Sequence, residues 1–306
     1  MPADPMPTER ARELVRGGFD THIHVEPDVI PRRVDDVTLA GLFAARGLAG
    51  FLLKSHYAPT AERAQVVGAV APEGVRCLGS IALNASVGGL NPLAVEIAGR
   101  EGARTVWLPT VDAANETAGR IDPPPRANLP AWAQLQQDLR ARGMLAPPVE
   151  VVDEDGEVLP GLQQVLEVVA DHGMLLATGH LSRDEIFAVV GAAVDAGVET
   201  VVVTNPEFPS HTLSPDDQQR LASRGALLQR ALTTPYTGKC TWEDIFTATR
   251  AVGARATVWG SDLGQRFNPP VEDGLAIMAD RFLEAGFSEE EVRIMAVENT
   301  RRLAGA

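Results

Sequence analysis

The sequence predicts a single (β/α)8 barrel, and three observations carry that expectation. Short apolar runs alternate with amphipathic stretches along almost all 306 residues. The runs have no polar face, which suits parallel strands covered by helices. N-capping residues and glycines punctuate the alternation in the order of β–α units. One domain over 1–306 follows, with 1–16 as a lead-in, because barrels of about 250 residues or more fold as one unit.

Taken in order, the first strand ends in Phe19-Asp20-Thr21-His22-Ile23-His24. The next bodies are Gly50–Leu53, Val75–Leu83 and Thr105–Leu108, ending near His56, Asn84 and Thr110. Met174–Ala177, Thr200–Thr204, Ala226–Leu232 and Thr257–Trp259 complete the set, ending near His180, Asn205, Leu232 and Asp262. Between them, Ser182 with Glu185 and Ser288 with Glu291 form capping boxes. Ser214 precedes an N1 proline, Pro215, and Thr241 precedes Trp242-Glu243-Asp244. Gly47, Gly102, Gly173, Gly197, Gly225, Gly253 and Gly286 supply the stops. The rival, a doubly wound open sheet, lacks its Gly-rich phosphate fingerprint after any strand.

One connection breaks the rhythm. The fourth strand and its helix near Pro160 are separated by the insertion 111–159, far longer than the usual ~2–6 residues. It holds Asp122-Pro123-Pro124-Pro125, a helical stretch from Ala131 to Arg142, and a hairpin over Val149–Leu159 that turns at Asp155-Gly156. It leaves the catalytic face of the barrel, so a lid or substrate wall is expected there.

Composition narrows the partners. Lys and Arg number 27 against 41 Asp and Glu, a net charge of −14. That disfavours nucleic acid and anionic membranes, whose phosphates need clustered cations. No apolar run reaches the ~18 residues of a membrane span. MPADPMPTER lacks the apolar core of a secretory leader. Cys77 and Cys240 both sit in apolar surroundings, which points to small buried side chains in a reducing cytoplasm. The expected partner is a small-molecule substrate, and a homo-oligomer is compatible with the sequence.

The chemistry starts at His22 and His24. In an extended strand, residues i and i+2 share a face, so both imidazoles project together at the strand's C-terminal end. That is half of a tetrahedral divalent-metal site. With the barrel assumed, His180 ends strand five and Asp262 ends strand eight. Three histidines and a carboxylate at strand C-termini make a metal set with room for water or substrate.

These residues carry a family resemblance. Phe19-Asp20-Thr21-His22-Ile23-His24, Thr178-Gly179-His180 and Gly260-Ser261-Asp262-Leu263 resemble the amidohydrolase superfamily of metal-dependent hydrolases. The terminal Glu298-Asn299-Thr300-Arg301-Arg302-Leu303-Ala304-Gly305 is similar to the helix that closes many of those barrels. Leu53-Lys54-Ser55-His56 and Trp107-Leu108-Pro109-Thr110 resemble an uncharacterised amidohydrolase-related branch. The resemblance implies His22, His24, His180 and Asp262 as ligands, with Asp262 also taking the proton of the attacking water. Binuclear members carry a carboxylated Lys or a Glu at the end of strand four, where this chain has Thr110. They carry a His at the end of strand six, where it has Asn205. The expected cofactor is therefore a divalent cation, Zn²⁺ first, in one copy or two.

Further candidates surround this set. Lys54 and His56 share a face of strand two that belongs at the mouth, since an outward lysine would lie under helices. Lys54 either binds a substrate carboxylate or oxyanion as a cation, or bridges metals once carboxylated. His56 is a ligand, an acid/base group or a hydrogen-bonded structural residue. His211, on the Pro-stiffened loop after strand six, either folds back over the metal or faces solvent. Glu207 is a further acid if that strand continues, and Arg230 on strand seven is a candidate for a substrate carboxylate. His172 belongs to a helix end without a catalytic role, Arg32 and Arg33 to the start of a solvated helix, and Trp107 and Trp259 to the core.

Three functions stay open at this level. One is hydrolysis of an amide, lactam or ester by water activated on the cation, with Asp262 as proton carrier and Lys54 or His56 at the oxyanion. Another is decarboxylation or hydration of a small carboxylated molecule on a mononuclear centre. The third is a metal-binding barrel without catalysis.

Overall fold

The computed structural model describes residues 6–118, 131–144, 147–211 and 213–305. Eight strands form the central sheet: β1 (Phe19–Ile23), β2 (Gly50–Leu53), β3 (Arg76–Ala82), β4 (Ala103–Trp107), β5 (Leu175–Ala177), β6 (Val201–Val203), β7 (Leu227–Arg230) and β8 (Thr257–Trp259). They lie in sequence order, each parallel to the next. A parallel bridge between Ile23 and Leu263 joins the last segment to the first. Backbone bonds from His24 N to Leu263 O (2.8 Å) and from Asp262 N to His22 O (2.7 Å) complete that seam. The (β/α)8 barrel is therefore the fold. All eight strands occupy the predicted runs, but most stop one to three residues short of the predicted ends.

The surrounding helices begin with α1 (Glu9–Leu14), α2 (Asp36–Arg46), α3 (Ala61–Val70), α4 (Pro92–Arg100), α5 (Ala114–Ala118), α6 (Ala131–Ala141) and α7 (Pro160–Asp171). They continue with α8 (Arg183–Asp195), α9 (Pro215–Ser223), α10 (Thr233–Tyr236), α11 (Trp242–Val252), α12 (Gly274–Glu284), α13 (Glu289–Arg293) and α14 (Asn299–Ala304). Capping boxes open α8, α9, α11 and α13, with Ser182, Ser214, Thr241 and Ser288 as N-caps. Each satisfies backbone donors that a helix start leaves bare, worth about 1 kcal/mol per cap.

Strand alternation divides the apolar residues into layers. Phe19, Leu52, Trp107, Leu175, Ala177, Val202, Leu227 and Val258 cluster inside the barrel. Ile23, Leu53, Leu176, Val203 and Leu228 belong to the clusters beneath the helices. Leu303 and Ala304 of α14 pack onto the interior cluster. Asn299 holds α14 in place, its Nδ2 donating to the carbonyl of Thr257 at 2.7 Å. Thr300 Oγ1 accepts from Phe19 N at 3.1 Å. This explains the closing role the resemblance gave to the terminal segment.

In the insertion, the predicted helix is α6, and Val152 pairs antiparallel with Val158 around Gly156, whose φ is +84°. The Asp122–Pro125 stretch lies outside the described residues. Among the described residues no helix is long and apolar enough to cross a membrane. Arg32 departs from expectation. It starts no helix and is 3% exposed, with Nη2 2.6 Å from Asp28 Oδ2. His172 caps α7, and its Nε2 lies 2.7 Å from Glu96 Oε2, far from the barrel mouth's chemistry.

Candidate metal centre

The His22–His24 geometry depends on an irregularity in β1. Phe19 faces the barrel interior and Ile23 the outer layer, although both are odd-numbered. The register with β2 shifts between Asp20 and Ile23, which accounts for the switch. It leaves His22 and His24 together at the interior end of the strand.

Asp262 meets them from just beyond β8. Its Oδ1 lies 3.2 Å from His22 Nε2 and 3.3 Å from His24 Nε2. These three residues form a group whose donor atoms all lie within 4.8 Å of one another. Gly260 makes the approach possible: a Cβ there would stand 2.7 Å from Thr21 Oγ1 and 2.8 Å from His22 Cβ.

The surroundings prepare the group for a cation. Burial drives both imidazoles to the neutral, ligating form. His22 is held well below its ordinary pKa, and His24 is lowered to about 4, with the Arg32 charge adding to the effect. Burial opposes ionisation of Asp262, but the hydrogen bond from His24 and the charge of Lys54 hold the carboxyl well below its usual range.

The tautomer of His22 is fixed too. Gln229 Nε2 donates to Thr21 Oγ1 (3.2 Å), and that hydroxyl donates to Trp259 O (2.9 Å). Gln229 Oε1 is thus left to accept from His22 Nδ1–H at 3.0 Å. The bare lone pair of His22 is on Nε2, the atom facing Asp262. An Nδ1–H donated to a neighbour is the usual support of a metal-bound histidine. Two neutral imidazoles and an ionised carboxylate, converging and oriented, fit a divalent cation.

Lys54 shares this space. It is 3% exposed, its Nζ lies 3.0 Å from His22 Nε2 and 4.1 Å from the centroid of the Trp107 ring, and burial lowers its pKa to about 8. His56 stacks on His24 with ring centroids 4.9 Å apart. Its Nδ1 lies 2.8 Å from Thr110 Oγ1, which also accepts from Asn84 Nδ2 at 2.7 Å. Thr110, at the end of β4, thus anchors His56 at the barrel mouth.

His180 stands outside the three-residue group. Its ring is 6.1 Å from that of His56 and 6.0 Å from that of His211, and its Nδ1 lies 3.2 Å from Glu116 Oε1 on α5. His211 is fully buried and does not face solvent. Its Nδ1 donates to Asn205 O (3.0 Å), Nε2 has no hydrogen-bond partner among the described residues, and burial lowers its pKa to about 3.

Arg230 and Glu207, expected at the mouth as substrate groups, are instead occupied with each other. β7 alternates, so Leu227 and Gln229 face the barrel interior while Leu228 and Arg230 turn to the helices. There Arg230 also donates to Gln218 Oε1 (2.6 Å) and Thr249 Oγ1 (3.1 Å).

Above the centre opens a pocket of about 570 Å³, lined by His24, Lys54, His56, His180, Asn205 and Asp262 at one end. Trp132 of α6, Phe208, Lys239, Arg266 and Phe267 also line it. The insertion therefore contributes wall to the pocket. Sequence reasoning missed Gln229, Arg32, Glu116 and these wall residues. Gln229 had a signal, a polar residue in an otherwise apolar interior position of β7.

Comparison with known proteins places the chain. Residues 17–229 match the model of a family described as a family of unknown function, DUF6282. The chain belongs to that family. No curated protein matches it. Its fold is similar to that of an amidohydrolase from Pseudomonas aeruginosa, with 12% identity and a TM-score of 0.59 over 97% of this chain and 99% of that one. The probable dipeptidase PvdM from the same organism gives 12% and 0.60 over 97% of each chain. A probable 2-pyrone-4,6-dicarboxylic acid hydrolase from Acinetobacter baumannii gives 15% and 0.55 over 95% of this chain and 100% of the other. The DUF6282 chain thus shares its barrel fold with these structures.

Proposed function

We propose that this DUF6282 protein is a metal-dependent hydrolase that cleaves a C–N bond (amide or lactam) or an ester of a small molecule. The observation that carries the reading is the convergence of His22 Nε2, His24 Nε2 and Asp262 Oδ1 at the end of a pocket of about 570 Å³. Two imidazoles and a carboxylate suit Zn²⁺. The neighbouring folds include an amidohydrolase, a probable dipeptidase and a probable 2-pyrone-4,6-dicarboxylic acid hydrolase, which agrees with the reaction class.

A divalent cation in this group supplies Lewis acidity, lowering the pKa of a water and polarising a carbonyl. The chain's own groups do the rest. Asp262 accepts the proton of the attacking water and passes it to the leaving nitrogen or oxygen. Asn205 Nδ2 donates to Asp262 Oδ2 at 3.0 Å and fixes the plane of that carboxylate. Lys54 places positive charge where the oxyanion develops. His56 and His180, lining the same pocket, stand ready to hold the leaving group.

The test is elemental analysis of purified protein with hydrolysis assays on amide, lactam and ester panels. One zinc per chain, lost in His22→Ala and His24→Ala, is expected. Asp262→Asn at saturating zinc is expected to lower turnover by about 10²–10⁴-fold. A protein that binds no divalent ion would overturn the reading, as would release of CO₂ without consumption of water.

A further inference from the structure

We propose that the substrate is a small organic carboxylate with a flat apolar body, its charged end directed at the loop that follows β8. The choice of which end reacts rests on the metal-centre reading above; the charge preference does not.

The chain carries a net charge of −14, yet the described residues that line its pocket have the opposite balance. Lys54, Lys239 and Arg266 line it, and Asp262 is the one carboxylate among the described residues that do. A concave wall with one sign of charge focuses its field and concentrates the opposite ion. Against an acidic surface, such a pocket discriminates by charge before any contact forms.

The apolar part of the wall says what else the ligand carries. Trp132, Phe208 and Phe267 contribute aromatic surface to the same space. Lys239 Nζ lies 4.1 Å from the centroid of the Phe208 ring, so this cation is set against an aromatic face. Phe267, 46% exposed beside Arg266, adds an accessible ring to the same wall.

The loop presenting Arg266 is stiff. Asn268 Oδ1 accepts from both Gly264 N (3.1 Å) and Gln265 N (2.9 Å), and Arg33 donates to Asn268 O. Gly264 is required: at φ +129°, a Cβ there would collide with the carbonyl of His24. A guanidinium carried on a preorganised backbone pairs a carboxylate through two parallel N–H donors without ordering the loop on binding. Lys54 serves the reacting group beside the metal centre, while Arg266 and Lys239 add cationic groups to the aromatic lining of the same pocket.

The test is calorimetric titration of the full chain, zinc-loaded and zinc-stripped, with isophthalate, benzoate, benzamide and benzylamine. Isophthalate and benzoate are expected to bind at least about tenfold more tightly than benzamide, and benzylamine not at all. Arg266→Met and Lys239→Met are each expected to weaken isophthalate about fivefold or more, with zinc per chain unchanged. The carboxylate preference is expected to survive zinc removal, because the loop cations do not depend on the metal. Benzamide binding as tightly as benzoate in the stripped protein, or isophthalate binding unmoved in both variants, would overturn the proposal. Absence of zinc binding would instead strike the hydrolase reading and leave this preference standing.

Discussion

Asn205 Nδ2 donates to Asp262 Oδ2 at 3.0 Å, and both residues hold positive φ angles, +41° and +55°. They are the two non-glycine residues with such angles among the described residues. A left-handed backbone at a branched or polar side chain costs on the order of 1–3 kcal/mol and persists where the surroundings impose it. Here it turns each chain end after its strand so that the two side chains meet over the centre. Asn205→Ala is expected to weaken zinc about 10–100-fold, as loss of an outer partner to a ligand does. Asn205→Gly keeps the backbone at ease but loses the same bond. It should match the affinity loss in a competition with a chromophoric chelator while melting at a higher temperature than Asn205→Ala.

Lys54 and the cation want the same lone pair. Nζ lies 3.0 Å from His22 Nε2, the same atom through which His22 would hold a cation. Like charges a few ångströms apart at a partly buried site repel by more than about 1 kcal/mol. Lys54→Met is therefore expected to tighten zinc by about tenfold and to lower kcat. Chelator competition alongside steady-state kinetics reads both. Weaker zinc in this variant would mean that Lys54 is itself a ligand group.

The Arg230–Glu207 pair is structural. Its side chains are 0% and 6% exposed. Removing one partner strands the other charge, which costs about 3–5 kcal/mol. Glu207→Ala should lower the urea midpoint accordingly and leave zinc per chain unchanged. A variant of normal stability with altered substrate affinity would return these residues to the binding site.

Neither thiol is a nucleophile at neutral pH. Burial pushes Cys77 and Cys240 up to about 12, with Asp36 adding to the effect at Cys77 and Glu207 at Cys240. Iodoacetamide at pH 8 is expected to label neither in the native protein and both after unfolding, since the thiolate is the reacting form. The native rate should climb only as pH approaches 12. Rapid native labelling at pH 8, followed by mass spectrometry, would show otherwise.

What the sequence revealed follows from what is local. The eight strands were legible because both faces of each are covered, which leaves continuous apolar runs. His22 and His24 were legible through the two-residue period, although the β1 bulge that makes the geometry work was not. Arg32 looked like a surface charge because its partners, Asp28 and His24, lie on a turn that no periodicity marks. The facing of Arg230 depends on a strand only four residues long, too short for its pattern to decide inside from outside. Gln229 acts on His22 across nearly the whole chain, and such a contact exists only once the barrel closes.

That closure has a consequence for synthesis. His24 and Asp262 come from opposite ends of the chain, and the backbone bonds His24 N to Leu263 O and Asp262 N to His22 O join those ends. A cation gripped there would rivet the last segment to the first. A nascent or proteolysed chain that stops before residue 262 would leave the imidazole pair without its carboxylate. Loading with metal would then require the chain as far as Asp262.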